Sequence, residues 1–292
     1  MKTVRKAVIL AAGRGTRFLP FSKAVPKEML PVIDTPSIQL IAEEAVEAGI
    51  REILIVDSPE KHALMQHFAP DEAWDAFLHE RHKDAEIEKL HALEHLAKFC
   101  AVSQKKATGS ADAVLLSKEF AAGEPIVVLN GDDVMYTPKG NKTVTRQLVE
   151  CFEEVQQTVI GVQTVTPQEI SKYGAVNILE RNGRTYRIDS IVEKPSVEAA
   201  PSFVAALGRY VISGDFYGYL ERISVAANGE KQFTDALKLQ AAEKGIYAYD
   251  FEGTRYDLGD KFGFVRANVE AMLRSEKYGE QMRAYLASLE KE

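Results

Sequence analysis

Cysteine and tryptophan are scarce in this 292-residue chain, with two of the first and one of the second. Cys100 and Cys151 form no CxxC, so neither a disulfide framework nor a thiolate zinc site is indicated, and a reducing, cytoplasmic setting fits. A positive surplus is lacking too: Lys plus Arg is 36 against 43 for Asp plus Glu, a formal charge of −7. That balance offers no basic field to nucleic acid or an anionic membrane, so any anionic ligand must be held by local cations. Long apolar runs are missing as well, and no stretch approaches the ~20 residues of a membrane span. The opening MKTVRKAVILAAG has basic residues ahead of an apolar run. Ala7 to Ala12 is nevertheless too short for the core of a secretory signal, and Arg14 and Arg17 follow at once. What remains is a composition of 46% hydrophobic and 27% charged residues, ordinary for a globular protein and unlike disordered, collagen-like or coiled-coil chains. A chain of this length lies between one large domain and two average ones, and can bury about 70 to 75% of its unfolded surface.

Lys6 to Ala11 reads as a buried strand, a glycine-containing loop follows, Pro36 to Gly49 reads as a helix ending in glycine, and Glu52 to Asp57 as a second strand. A β-loop-α-β unit of this kind predicts parallel strands. Further strands are predicted at Pro125 to Leu129, Gln157 to Thr164, Ala175 to Leu179, Ile188 to Val192 and Phe203 to Val211. Their shorter connections suit a mixed sheet covered by helices. Residues 71–98 are polar and helix-periodic and read as a helical insertion. His91 and His95 within it are spaced i, i+4 without a third ligand, and HALEH is not the HExxH motif. Residues 261–292 read as helix, with Phe264, Val265, Val269, Met272 and Leu273 available for packing on the core or at an oligomer interface. The predicted division is a catalytic unit over 1–260 that carries the insertion, followed by a helical segment over 261–292.

Leu10-Ala-Ala-Gly-Arg-Gly-Thr-Arg17 directly follows the first strand, where small residues let backbone N–H groups come close to phosphates. It is not the dinucleotide fingerprint, because Phe18 stands where the third glycine belongs, and it is not a Walker A loop, because no Gly-Lys-Ser/Thr closes it. Alone, GRGTR reads as a turn with incidental arginines. PFSKAVPKEMLP follows at once, and its three prolines make a stiff extended loop able to hold Lys27 near the same phosphates. PIVVLNGDDV, Pro125 to Val134, is an apolar strand ending in two carboxylates, and strand C-termini are where an open α/β sheet places ligands. A GDD on its own is also a common turn.

Together GRGTRFLPFSKAVPKEMLP resembles the signature of sugar-nucleotide pyrophosphorylases, with the KEMLP ending closest to the bacterial UTP–glucose-1-phosphate uridylyltransferases. The resemblance continues at Ser171-Lys-Tyr-Gly-Ala-Val176, Val192-Glu-Lys-Pro195, Gly208-Arg-Tyr-Val-Ile212, Gly229-Glu-Lys-Gln-Phe-Thr-Asp-Ala236 and Arg255-Tyr-Asp-Leu-Gly-Asp-Lys261, and so covers most of the chain. It implies an α/β fold of the nucleotide-diphospho-sugar transferase type, a Rossmann-like three-layer α/β/α arrangement around a mixed, mostly parallel central sheet. It also implies transfer of a uridylyl group from UTP to α-D-glucose 1-phosphate, giving UDP-glucose and pyrophosphate, with Mg2+ as cofactor. Such enzymes are commonly dimers or tetramers with neither nucleic acid nor membrane as partner. By the same resemblance Ala11, Ala12, Gly13, Gly15, Thr16, Glu28, Gln104 and Gly109 hold the nucleotide, and Gly174, Glu193 and Lys194 the sugar phosphate. Asp132 holds the metal, with Asp257 as a second contact, while Arg17, Lys27 and Lys194 act on the reacting phosphates.

One segment departs from the family pattern. Members usually read GLGHA where this chain reads Gly109-Ser-Ala-Asp-Ala113. Gln104 and Gly109 keep the places expected to meet the base, and Ser110, Ala111 and Asp112 replace Leu-Gly-His. Two rival readings keep the fold: transfer of another nucleotidyl group, such as thymidylyl, and a nucleotide-sugar-binding regulatory paralogue with little turnover. A nicotinamide-dependent dehydrogenase fails at Phe18. The implied chemistry is electrostatic. A sugar phosphate of charge about −2 must approach a triphosphate of about −4, and one pair of unit charges at about 4 Å costs about 4 kcal/mol at an effective dielectric of about 20. Cations gathered from distant segments answer that cost, and the attacking oxygen, already ionised at neutral pH, needs no general base.

Overall fold

The structure, a computed structural model, describes residues 2–226 and 229–289. The first strand, β1 (Lys6–Leu10), is buried except at its ends and leads into a glycine loop and three short 3-10 turns. A hairpin of β2 (Pro31–Val32) and β3 (Thr35–Pro36) precedes α1 (Ser37–Glu47). Ile38, Ile41, Ala42 and Ala45 recur at i, i+3, i+4 and i+7 on that helix and form its buried face. Gly49, at φ +101°, turns the chain into β4 (Glu52–Asp57). Next come α2 (Ala63–Gln66), α3 (Glu72–Glu80), α4 (Asp84–Glu94), β5 (Lys98–Ser103), α5 (Ser110–Leu115), α6 (Lys118–Ala121), β6 (Ile126–Asn130) and β7 (Asp133–Tyr136). The remaining elements are α7 (Val144–Val155), β8 (Val159–Thr164), α8 (Pro167–Ile170), β9 (Gly174–Asn182), β10 (Thr185–Glu193), β11 (Val204–Ile212) and α9 (Tyr217–Arg222). They continue through α10 (Phe233–Lys244), β12 (Ile246–Asp250), β13 (Thr254–Asp257), α11 (Lys261–Arg274) and α12 (Gly279–Leu289).

Nine strands form the main sheet in the order β5-β4-β1-β6-β11-β8-β12-β10-β9. The predicted β-loop-α-β unit is present, since β1 runs parallel to both β4 and β6, and β5 joins parallel to β4. The expectation of a mostly parallel sheet needs correction. Within the sheet, four pairings are parallel and five antiparallel, the latter grouped from β6/β11 onward. The reason lies in the connections. The β9–β10 hairpin has room only for a tight turn, and a parallel pairing needs a crossover of a dozen or more residues. The sheet is thus mixed, parallel on one side of the β6/β11 seam and largely antiparallel on the other. Alternate residues of β1 enter different cores. Ala7 and Ile9 pack with residues of α1 and α7, and Val8 packs with residues of α5, α9 and α10. β11, next to the seam, is buried at every position, as a strand covered on both faces must be.

The polar excursion predicted at 71–98 is a pair of helices, α3 and α4, joined through a short turn and packed on each other. His91 pairs with Asp75 at 3.2 Å, and no cluster of three or more metal-binding side chains occurs among the described residues. The predicted C-terminal helix is two helices, α11 and α12, and its last three residues lie outside the described ones. Asp260 caps α11 by accepting from Gly263 N–H. Asn268 then ties the helix to the β2–β3 hairpin by accepting from Ile33 N–H and donating to Pro31 O. Phe264, Val269, Met272 and Leu273 are half-buried, whereas Val265 is 53% exposed. No described helix is long and apolar enough to cross a membrane.

Candidate active site

The C-terminal ends of β1 and β6 lie side by side, with Leu10 in register with Asn130, and the two loops that leave them form the floor of a cleft. The loop after β1 is shaped from behind by Lys61, whose Nζ donates to Ala11 O at 2.5 Å, Gly13 O at 2.6 Å and Glu28 Oε2 at 2.7 Å. Burial lowers the pKa of Lys61 against the pull of Glu28, and raises that of Glu28 against Lys61 and Lys27. Gly15 holds φ +65°, a backbone state that disfavours a side chain, and a Cβ there would press on the Lys27 stem at 3.2 to 3.3 Å. Lys27 therefore crosses the loop, and its ammonium bonds to Asp132. Burial works against that ammonium, but Asp132 and Glu28 outweigh it and hold its pKa above the ordinary lysine value.

Asp132 stands in the turn between β6 and β7. β7 pairs with β13 in a short antiparallel ladder that sets Asp133 opposite Asp257. The following Gly259 shows how close the carboxylates come. A Cβ built there would lie 2.5 Å from Asp132 Oδ2 and 3.0 Å from Asp257 Oδ1. Asp132 and Asp257 thus face one small gap that only a glycine leaves clear. Burial raises the Asp132 carboxyl, but Lys27 and Arg255 prevail and keep it below the usual aspartate range. Burial, with the nearby Asp133 and Asp132, raises Asp257 against the pull of Arg255. Two hard oxygen donors of like charge around one gap are a fitting set for a small divalent cation that draws its remaining ligands from phosphate and water.

Around these residues lies a network that the sequence did not reveal. Asp133 is 2% exposed. Its Oδ2 accepts from Asn130 at 3.0 Å, its Oδ1 lies 2.5 Å from Arg255 Nη2, and its carbonyl accepts from Arg209 Nη2 at 2.8 Å. Gly208, at φ +64°, is needed beside it, since a Cβ would fall 2.1 Å from Asp133 Oδ2. Arg209 is wholly buried, and it donates from Nε and Nη2 to Glu44 on α1, with the closest approach 2.6 Å. Glu44 also accepts from Thr145 N–H and its hydroxyl, so one carboxylate joins α1, α7 and β11. Neither Lys61 nor this pair carries a local signal, because each partner is a single charged residue far away in the chain. A buried Arg is the one hint available: charged residues inside strand-like apolar runs are placed only with partners.

Two cavities share the floor. The first, about 400 Å3, is lined by Ala12, Gly13, Lys27, Gln104, Gly109 and Asp132 among others. The second, about 260 Å3, is lined by Arg17, Asp132, Gly174, Glu193, Lys194 and Asp257 among others. Asp132, Asn130, Ser110 and Gln232 belong to both. Most of the expected residues therefore converge on one cleft. Four do not line it. Ala11 and Glu28 are fully buried, Ala11 through the bonds of its backbone and Glu28 through Lys61. Gly15 packs under Lys27, and Thr16 opens a 3-10 turn on a separate cavity of about 370 Å3. Arg17 reaches back toward the gap, with Nη1 3.4 Å from Gly259 O. Lys194 holds φ +45°, an uncommon backbone state for lysine, and its side chain is 62% exposed and 3.6 Å from Glu193.

The departing loop has its own geometry. Gln104 donates to Gly109 O at 3.0 Å. Gly109, at φ +111°, fits against the Lys231 backbone, where a Cβ would lie 2.3 Å from the carbonyl oxygen. Lys231 N–H donates to Thr108 O and Ala111 N–H to Lys231 O, while Ser110 accepts from Phe233 N–H. Asp112 lies 3.6 Å from Lys231 Nζ. The replaced residues thus fasten the loop to the segment before α10.

Comparison with known proteins places this cleft in context. The Nucleotidyl transferase family profile matches residues 6–272. UTP–glucose-1-phosphate uridylyltransferase 2 of Staphylococcus saprophyticus is 40% identical over 289 residues, 99% of either chain. The UTP–glucose-1-phosphate uridylyltransferase of Bacillus subtilis is 42% identical over 289 residues, 99% of this chain and 98% of that one. Among solved structures, a UDP-glucose pyrophosphorylase complexed with UDP-glucose superposes with a TM-score of 0.86 at 33% identity, covering 94% of this chain and 100% of that one.

Proposed function

Given that the chain belongs to the nucleotidyl transferase family, we propose that it transfers a uridylyl group from UTP to α-D-glucose 1-phosphate, releasing pyrophosphate and UDP-glucose. The observation that carries this reading is the pair of cavities meeting over Asp132, with Lys27 lining one and Arg17 and Lys194 the other. Similarity over nearly the whole length to uridylyltransferases supports the choice of substrates.

The larger cavity takes the nucleotide, with Gln104 and Gly109 toward the base, and the smaller takes the sugar phosphate beside Gly174, Glu193 and Lys194. Held separately, the two anions meet with the attacking oxygen in line with the α-phosphorus. Lys194 anchors the sugar phosphate, Arg17 offsets the charge of the departing pyrophosphate, and Lys27 follows the charge between them. A Mg2+ held by Asp132 and Asp257 would supply positive charge to the triphosphate oxygens. Phe262, Val265, Tyr285 and Leu289 are exposed on α11 and α12, and these two helices would supply apolar contacts to a dimer or tetramer.

The test is one assay series: purified protein, Mg2+, glucose 1-phosphate and each of UTP, dTTP, ATP, CTP and GTP, with pyrophosphate detected and the sugar nucleotide identified. Turnover with UTP is the expected result, and preference for dTTP or absence of turnover with all five would overturn the reading.

A further inference from the structure

Arg255, on β13, lies at the wall of the smaller cavity and touches both sides of the cleft. Its side chain is 13% exposed, with Nη2 2.5 Å from Asp133 Oδ1 and 3.5 Å from Asp257 Oδ2. On the other side Nη1 donates to the Tyr173 hydroxyl at 3.0 Å, and the guanidinium carbon lies 5.0 Å from the Tyr173 ring centroid. Tyr173 immediately precedes β9. Its carbonyl accepts from Lys194 N–H at 2.9 Å, and the next residue, Gly174, is paired with Glu193. An unbroken chain of contacts therefore runs from the Asp133 and Asp257 carboxylates through Arg255 and Tyr173 to the Glu193-Lys194 backbone.

The two ends of that chain belong to different parts of the fold. Asp133 and Asp257 stand on the short β7–β13 ladder, whereas Gly174 and Glu193 stand on the edge hairpin of the main sheet. A planar fork with five donors can hold a carboxylate and a phenol at fixed spacing, which a single ammonium cannot. Arg255 Nε–H is buried with no acceptor among the described residues, so one donor of the fork faces the cleft wall unused by the fold.

We propose that Arg255, acting through the Tyr173 hydroxyl, is a positioning residue that sets the sugar-phosphate subsite at its working distance from the carboxylates at the phosphate gap. The proposal rests on the uridylyl-transfer reading above. It predicts a selective defect: loss of the link leaves the nucleotide cavity alone and loosens the turn that presents Glu193 and Lys194.

Tyr173→Phe is the decisive variant, since it keeps the ring under the guanidinium and removes only the hydroxyl. With wild-type protein measured alongside, KM for glucose 1-phosphate should rise about tenfold, the scale of one hydrogen bond to a charged group, while KM for UTP stays within about twofold and the melting temperature falls by only about 2 to 3 °C. Arg255→Lys keeps a positive charge beside Asp133 and should give the same split, because a lysine cannot hold both partners. A Tyr173→Phe enzyme whose two KM values are unchanged, or rise together, overturns the proposal while leaving the reaction assignment standing. A wild-type protein that makes no UDP-glucose overturns both.

Discussion

Lys27 rests on Asp132, and a triphosphate entering the cleft would draw that ammonium onto its own oxygens. Lys27→Ala is expected to lower kcat by about 100-fold or more, as removal of a charged donor from a reacting phosphate should, while the fold remains intact. Near-normal pyrophosphate release from that variant would remove Lys27 from the chemistry. Asp132→Asn tests the other half of the contact. Activity should be lost at every Mg2+ concentration, and a metal titration curve matching wild type would count against Asp132 as a ligand. At this scale the sequence told much but unevenly. Lys27, Asp132, Asp257 and Lys194 sit in local strings whose order is informative, and they converge in space. Lys61, 33 positions from its partner Glu28, stands in a string without such order, and its part in shaping the glycine loop became visible only in three dimensions.

Between elements, the buried Glu44–Arg209 pair joins helix α1 to strand β11 and supports the Asp133 carbonyl. Taking away one member of such a pair leaves an uncompensated buried charge, at a cost of about 3 to 5 kcal/mol. Glu44→Gln should therefore lower the urea midpoint markedly, and an unchanged midpoint would show that Thr145 and water suffice for the arginine. The loop bearing Gly109 gives a second test. Gly109→Ala puts a methyl into the Lys231 backbone, so KM for UTP should rise by about tenfold or more, while KM for glucose 1-phosphate changes less. In the parallel half β1, β4 and β6 were legible because each is a continuous apolar run, whereas β5 was missed, since Lys98-Phe-Cys-Ala-Val-Ser103 is an edge strand with several exposed positions. β7 and β13 were not legible, because four residues ending in aspartate look like any turn, and β12 alternates tyrosine with small residues too briefly to stand out. β8, β9, β10 and β11 were legible as strands too, but an apolar run does not tell its direction, and the mostly parallel sheet that the resemblance implied is corrected by their antiparallel pairings.

For the molecule as a whole, the uridylyl-transfer reading asks a negative chain to bind two negative substrates, so ligand and metal should act on stability together. UTP with Mg2+ at about 100 times the dissociation constant is expected to add about 2.7 kcal/mol of stability, a rise of roughly 4 to 5 °C in melting temperature at this chain length. EDTA should abolish both the rise and the turnover. A nucleotide-induced rise that survives EDTA would mean that the protein recognises the triphosphate without a divalent ion.

In a trans peptide the carbonyl and the following N–H point in opposite directions. By drawing the Ala11 and Gly13 oxygens inward, Lys61 turns the amide hydrogens of Ala12 and Arg14 outward, toward the larger cavity those residues line. On the proposed reading, an arriving phosphate would meet hydrogens already aimed at it, with little backbone freedom left to lose on capture. The glycines supply pliability during folding, and a single buried ammonium removes it afterwards.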